Sequence, residues 1–167
     1  MADTLNTVLE RLGRSKYLVF IDPDQDFTFT DNNWVRVKKS TQSTYTANEQ
    51  TEDFDYIDSD DTITEIVGNQ IQIALDQANI DGDPVYEFLE QQIAETPTGE
   101  SAKVPVLYCF GGTSMRAVRA IASISDKELS PTDRQISYNL NVADKVVGTY
   151  EVTGGEPSFT PSNGSQG

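Results

Sequence analysis

The stretch "QISYNLNV" (135–142) alternates without a break. Ile136, Tyr138, Leu140 and Val142 fall on one side, and Ser137, Asn139 and Asn141 on the other. A period of two places these sets on opposite faces of a strand, one packed and one wet. A helix would scatter them around its axis, so this segment demands a sheet with one polar face. Neighbours for it are present. "KYLVFI" (16–21), "WVRVK" (34–38), "TITEIVGNQIQIALD" (62–76), "KVPVLYCF" (103–110) and "VVGTYEV" (146–152) all read as strands. Gly68 marks a bend or bulge in the third of them. "SMRAVRAIASIS" (114–125) has the Ala, Met and Arg content of a helix, yet its ends look like hairpin turns, so a strand is expected there.

One strong helix interrupts the strands. "DGDPVYEFLEQQIAE" (81–95) offers Asp83 as N-cap and Pro84 at the first helical position. Val85, Leu89 and Ile93 stack along one face with Phe88 beside them, and "TPTGES" (96–101) ends the helix. A shorter stripe of Leu5, Val8, Leu9 and Leu12 predicts a helix over 3–13, in an N-terminal arm (1–14) that packs on its own domain or docks on a neighbour. "TGGEPSFTPSNGSQG" (153–167) reads as a flexible low-complexity tail. The expected order is β-β-loop-β-α-β-β-β-β in a single domain, 1–167. The fold class is mainly β: an antiparallel β-sandwich or barrel with one flanking α-helix and a long β-β loop.

That loop, residues 40–62, shows no apolar period. It opens a segment of unusual charge. From Ser40 to Ala102 there are 15 acids and no Lys or Arg, whereas the other 104 residues hold 12 acids and 12 bases. The net charge of −15 therefore lies in one contiguous part of the chain, which argues against a duplex-binding surface, because phosphate contacts need Lys and Arg. Glu49, Glu52, Asp53, Asp55, Asp58, Asp60 and Asp61, interleaved with Phe54 and Tyr56, form its densest part. Nothing there can build a core, so order is expected only against a partner.

Other features narrow the chemistry. The chain has no histidine, which removes His-based acid–base catalysis, Ser-His and Cys-His nucleophiles, and His-containing zinc sites. No catalytic residue and no cofactor is expected, and the chain is not expected to be an enzyme. The single cysteine, Cys109, sits in an apolar run and reads as a buried thiol. Asp22, Asp24 and Asp26 have the D-x-D-x-D spacing that opens a calcium loop. However, Phe27 stands where that loop needs Gly, and Asn33 where it needs a bidentate Glu. A solvated turn is expected; the alternative is a calcium-dependent extracellular binding module. "FGGTS" (110–114) lacks the lysine of a phosphate loop and reads as a turn. No apolar run approaches 18 residues, and the opening lacks a basic stretch followed by an apolar one, so neither membrane anchoring nor a signal peptide is expected.

The N-terminal strand pair, the long polar loop, the strand leading into "GDPVYEFL" (82–89), and the strands ending in "GTYEV" (148–152) and "FTP" (159–161) together resemble the major tail tube protein of long-tailed bacteriophages. The resemblance runs along roughly residues 15–161. It implies subunits that form hexameric rings, whose inner sheets join into a ring-wide β-barrel around a lumen. The rings stack into a hollow tube around a tape-measure protein, with tail terminator and distal tail proteins as further partners. DNA passes through without specific binding. The location implied is the virion tail, assembled in the host bacterial cytoplasm; the tube of a contractile tail or secretion system shares the fold. Some members carry an added C-terminal immunoglobulin-like domain, and none is expected here.

The resemblance also assigns roles. The long loop reaches adjacent subunits or rings. Gln70, Gln72, Ser137, Asn139 and Asn141, polar and uncharged, are candidates to face the lumen. Arg36, Lys38, Lys39, Lys103, Arg116 and Arg119 are candidate partners for the acidic loop. Two positions stay open to that loop. Facing the lumen, it would keep phosphates mobile within a screening length of about 8 Å. Docked on the next subunit's bases, it would favour ring formation, and this second position is preferred.

Overall fold

The computed structural model describes residues 17–38, 40–58, 60–112, 114–154 and 156–162. The expected helix over 3–13, Lys39 and the end of the C-terminal tail lie outside them. The described elements run β1 (Leu18–Ile21), β2 (Val35–Arg36), β3 (Ser40–Thr46), β4 (Glu49–Asp55), β5 (Thr62–Asn69), β6 (Gln72–Ala78), α1 (Pro84–Glu95), a 3-10 turn (Gly99–Ala102), β7 (Lys103–Cys109), β8 (Arg116–Ser130), β9 (Gln135–Thr153) and β10 (Glu156–Pro161). The architecture is antiparallel β with one α-helix among the described residues.

The main sheet has the order β2-β1-β7-β8-β9-β6-β3, with β10 added on β9. Strand β9 organises it. Of its 19 residues, Gln135–Thr149 run alongside β8, from Arg116↔Thr149 to Ser130↔Gln135. Its other edge is divided: Gln135–Asn141 pair with β6, and Gly148–Thr153 pair with β10. The strands expected at 135–142 and 146–152 are thus one strand. Register shifts between Arg119 and Ile121 and between Ser125 and Glu128 mark bulges, with Asp126 and Asp144 at positive φ. Bulges add twist and bend, which is how one long strand pair serves both halves of a sandwich. The sheet does not close into a barrel; among the described residues it ends at β2 and β3.

Alternation decides the core. Ile73 and Leu75 of β6 and Ile136, Tyr138 and Leu140 of β9 face Val85, Phe88 and Leu89 of α1 in one apolar cluster. The helix begins as its residues dictate. The Asp83 carboxylate accepts the Val85 N–H at 3.1 Å and the Gln77 side-chain amide at 2.9 Å. Gln77 is fully buried and in turn accepts the Tyr138 hydroxyl at 3.5 Å, so a polar chain ties the helix cap to the first part of β9. Burial drives the Tyr138 phenol far above its ordinary range. The helix ends at Thr96 in the left-handed region (φ 45).

A second, smaller core lies on the other face of β1, β7 and β8, made of Phe20, Leu107, Cys109, Ala117 and Tyr150 under Leu18, Trp34 and Phe159. Strands β1 and β7 are therefore apolar on both faces, which explains why "LVFI" and "VPVLYC" read as runs rather than alternations. Burial pushes the Cys109 thiol up to about 12, which leaves it protonated and inert.

Three expectations need correction. Residues 40–62 are not a loop. β3 pairs with β6 and β4 with β5; their Thr-rich sequence forms strands, but no side of β4 meets a core, so no apolar period betrays it. The tail from 153 is not simply flexible, because β10 adds to β9 in six-residue register. "WVRVK" contributes only Val35 and Arg36 as strand, although the Val37 N–H still donates to the Val19 carbonyl at 2.8 Å. By contrast, "SMRAVRAIASIS" does form a strand, because pairing on both edges overrides the helix preference of its alanines. No helix among the described residues is long and apolar enough to cross a membrane.

Gly148 fixes how closely β10 lies on β9. A Cβ there would stand 2.2 Å from the Thr160 carbonyl oxygen and 2.9 Å from Pro161 Cα. Gly148→Ala should release β10, seen as fast hydrogen exchange over residues 158–160 with α1 unchanged. Leu89→Ala, at a fully buried site, should cost about 2–5 kcal/mol in urea unfolding.

Candidate assembly surface

Strands β3 and β6 continue beyond the main sheet as β4 and β5. The joint is a pair of kinks. Gln70 donates its N–H toward the Ala47 and Asn48 carbonyls (3.1 and 3.3 Å), and the Asn48 side-chain amide returns a bond to the Gln70 carbonyl at 3.0 Å. Residues 40–78 thus form one long hairpin, rooted in the sheet and projecting by about 25 Å at 3.3 Å per residue.

This arm lacks what normally stabilises a hairpin. Residues 49–69 hold eight acids and no base. Glu52 lies directly opposite Glu65, an unfavourable like-charge pair. Thr64 and Thr62 donate hydroxyl bonds to Asp53 and Asp55 at 2.7 and 2.6 Å, which removes only part of the repulsion. Phe54 stacks on Tyr56 at 5.9 Å and faces Ile63 across the pair. Ile57 at the tip is fully exposed, and Ile66 and Val67 are more than half exposed. A lone two-stranded ribbon is marginal in water. This acidic ribbon leaves its Ile and Val side chains bare.

The wet face of β6, β9 and β8 forms a polar wall. Gln72, Asn141 and Ser123 share one row; Ala74, Asn139 and Ser125 the next; Asp76, Ser137 and Glu128 a third. The rows are knit by side-chain bonds, from Gln72 to Asn141 (3.2 Å), Asn141 to Ser125 Oγ (2.7 Å) and Asn139 to Asp126 (2.9 Å). The first row continues on β7 to Lys103, opposite Ser123, whose charge is met by Glu100 at 3.2 Å. Of the residues expected together, Gln72, Ser137, Asn139 and Asn141 are on this wall, while Gln70 sits in the kink of the arm. Ser123 and Ser125 were not singled out from sequence; the alternation of Ala122 and Ile124 with them was the signal.

The candidate basic residues do not form one patch. The antiparallel β7–β8 pairing sets Lys103 opposite Ser123 and places Arg116 beyond Cys109, about 20 Å away along the strands. Lys103 already meets Glu100 at 3.2 Å. Arg36 and Lys38 are exposed near the middle of the β1 edge. Arg119 is half-buried, with its guanidinium carbon 4.4 Å from the centre of the Phe29 ring and 5.0 Å from that of Phe159.

The Asp-rich segment between β1 and β2 is organised by its own carboxylates. Asp22, fully buried, accepts the N–H groups of Asp24 (2.9 Å) and Asp26 (3.1 Å) and the Asn32 amide (2.7 Å). Asp26 accepts the Thr28 hydroxyl and the N–H groups of Thr28, Thr30 and Asp31. These bonds hold the Asp26 carboxyl down at about 2. Asp22 and Asp26 thus spend their oxygens as turn caps, and among the described residues no group of three acidic, His or Cys side chains is placed to hold a metal ion. The loop they shape carries Phe29 at φ 57, against Trp34 at 6.4 Å and over Arg119.

Because the folded Asp26 carboxyl is held below its ordinary 3.8, its contribution to loop order is complete above pH 3.8 and disappears as pH falls through about 2. Trp34, the single tryptophan, should report this. Its emission should change between pH 4 and 2 in the natural chain, whereas Asp26→Asn should show the altered emission already at neutral pH and lose that step. Identical profiles would remove Asp26 from the loop's organisation.

No protein-family profile matches the chain, and no curated protein matches it. Solved structures do. A chain in the tail of an empty GTA particle, a phage-like gene transfer agent, determined by helical refinement with C6 symmetry, is 15% identical; the match covers 90% of this chain and 99% of that one, with a TM-score of 0.56. A chain in the six-fold symmetrised baseplate of the anti-feeding prophage is 6% identical, over 86% of this chain and 98% of that one, with a TM-score of 0.49. At such identities the likeness is one of fold: this chain shares the fold of a chain from a six-fold symmetric, phage-like tail.

Proposed function

We propose that the chain is a non-enzymatic structural subunit that assembles with copies of itself into stacked, hexameric rings forming the hollow tube of a phage-like tail. The observation that carries this is the acidic arm, a ribbon with exposed Ile57, Ile66 and Val67 and no core of its own. The fold shared with a C6-symmetric tail supports it. In this function the arm docks on a neighbouring copy, which buries its apolar side chains and places cations against its acids. The edge of β3, polar and seven residues long, pairs with the next copy so that the sheets close into a ring-wide barrel.

The polar wall then lines the lumen. Asn, Gln and Ser side chains bonded to one another leave few donors free, and the wall's charges are the acids Asp76, Asp126 and Glu128. Lys103, the cation in register with the first row, is already paired with Glu100, so passing phosphates find little to exchange for their counterions and DNA slides without being held. Assembly around a tape-measure protein, capping by tail terminator and distal tail proteins, and location in a virion tail made in the host bacterial cytoplasm complete the role.

Negative-stain electron microscopy across a concentration series tests it. The intact chain should give rings or tubes of one width. A variant with residues 49–69 replaced by Gly-Gly, joining Asn48 to Gln70, should stay monomeric yet unfold at nearly the natural temperature, since the arm adds nothing to either core. Normal tubes from that variant would remove the arm from assembly, and particles of no defined symmetry from the intact chain would sink the ring.

A further inference from the structure

We propose that Arg119 is the receptor for a carboxylate from the acidic arm of a second copy, its guanidinium held over the rings of Phe29 and Phe159. This rests on self-assembly through the arm and adds where one of its charges lands.

Three observations converge on Arg119. First, its guanidinium carbon lies over two aromatic rings, at 4.4 and 5.0 Å from their centres, which restrains the group. Second, one of its donors is unsatisfied: the Nε is buried and has no acceptor. Burial lowers its pKa from the ordinary value, as expected for a cation short of water and of a counter-charge. A buried donor without a partner is costly, and here it belongs to a side chain whose outer nitrogens stay within reach of a second molecule. Third, the clamp is strained into place. Phe29 takes φ 57, a region that bulky residues avoid, and the Asp26 carboxylate caps three N–H groups around it to hold it there.

The chemistry selects the occupant. A restrained, half-buried, planar guanidinium suits a planar acceptor with two oxygens, which is a carboxylate. The chain supplies eight of them on an arm with no base to neutralise them, so charge complementarity points to a second copy. A phosphate of passing DNA is the other anion, but a single arginine on a chain of net charge −15 is a poor trap for a polyanion.

The test measures the concentration at which the full-length chain begins to assemble, by light scattering, with thermal unfolding as the check on folding. Arg119→Met keeps the apolar stem beside the rings and should raise that concentration roughly 30-fold or more. Arg119→Lys keeps the charge but loses the fork, and should raise it nearly as far. Each acid of the arm is then changed singly to its amide, in the natural and Arg119→Met backgrounds. The true partner raises the threshold alone and adds nothing beside Arg119→Met.

Assembly of Arg119→Met at the natural threshold, while the arm-deleted chain stays monomeric, overturns the receptor and leaves the arm's role standing. Normal assembly of both variants overturns both. Additivity with all eight acids overturns the occupant. Retention of a duplex oligonucleotide by the natural assembly, lost in Arg119→Met, would assign the site to phosphate and overturn the carboxylate.

Discussion

Strand β9 exposes nineteen residues of backbone to pairing on both edges, and every sheet element is placed by how those edges are used. β8 takes one edge from Gln135 to Thr149, while β6 and β10 divide the other. The division is forced at residues 143–147, where Asp144 turns to positive φ and the register with β8 slips. On one side of that bend the strand is half-wet and carries the Asn and Ser of the polar wall. On the other it lies beneath β10, close enough that only glycine fits at position 148. The helix is tied to the same strand through Asp83, Gln77 and Tyr138. Core, wall and second core are thus three faces of one backbone decision.

Charge is distributed by the same logic. The folded body keeps its acids as structural acceptors: Asp22 and Asp26 in the first loop, Asp83 at the helix cap. Each is held by N–H donors and needs no cation. On the arm, Asp53 and Asp55 are met by threonine hydroxyls, and no lysine or arginine stands among residues 49–69. An arm that neutralised itself with lysines would be a better isolated hairpin and a poorer interaction element.

Much of this was legible in the residues, and what was not has physical causes. The alternation at 135–142, the Asp83–Pro84 start of α1, and the buried runs of β1 and β7 follow from periodicity and capping. The polar wall follows from the same alternation, since four of its residues are the partners of core side chains one step away. β3 and β4 escaped because an apolar period records burial, and the arm is not buried within one chain. The joining of 135–142 to 146–152 escaped because a bulge breaks the period where the strand continues. The six bases looked like one patch because sequence carries no register; the antiparallel β7–β8 pair separates Lys103 from Arg116. The aromatic clamp left the faintest trace. Phe29, Arg119 and Phe159 lie 90 and 40 residues apart, and only the fold brings them together.

The continuity of the arm with the sheet has a mechanical consequence. Strands β5 and β6 are joined end to end through two residues, and β6 is bonded along seven register pairs to β9. A pull on the tip of the arm is directed along β6, across hydrogen bonds that lie perpendicular to it. Those bonds share the load and must break together rather than open one by one as in a peeled hairpin. An arm anchored this way can transmit tension into the body of the molecule without unzipping its own root.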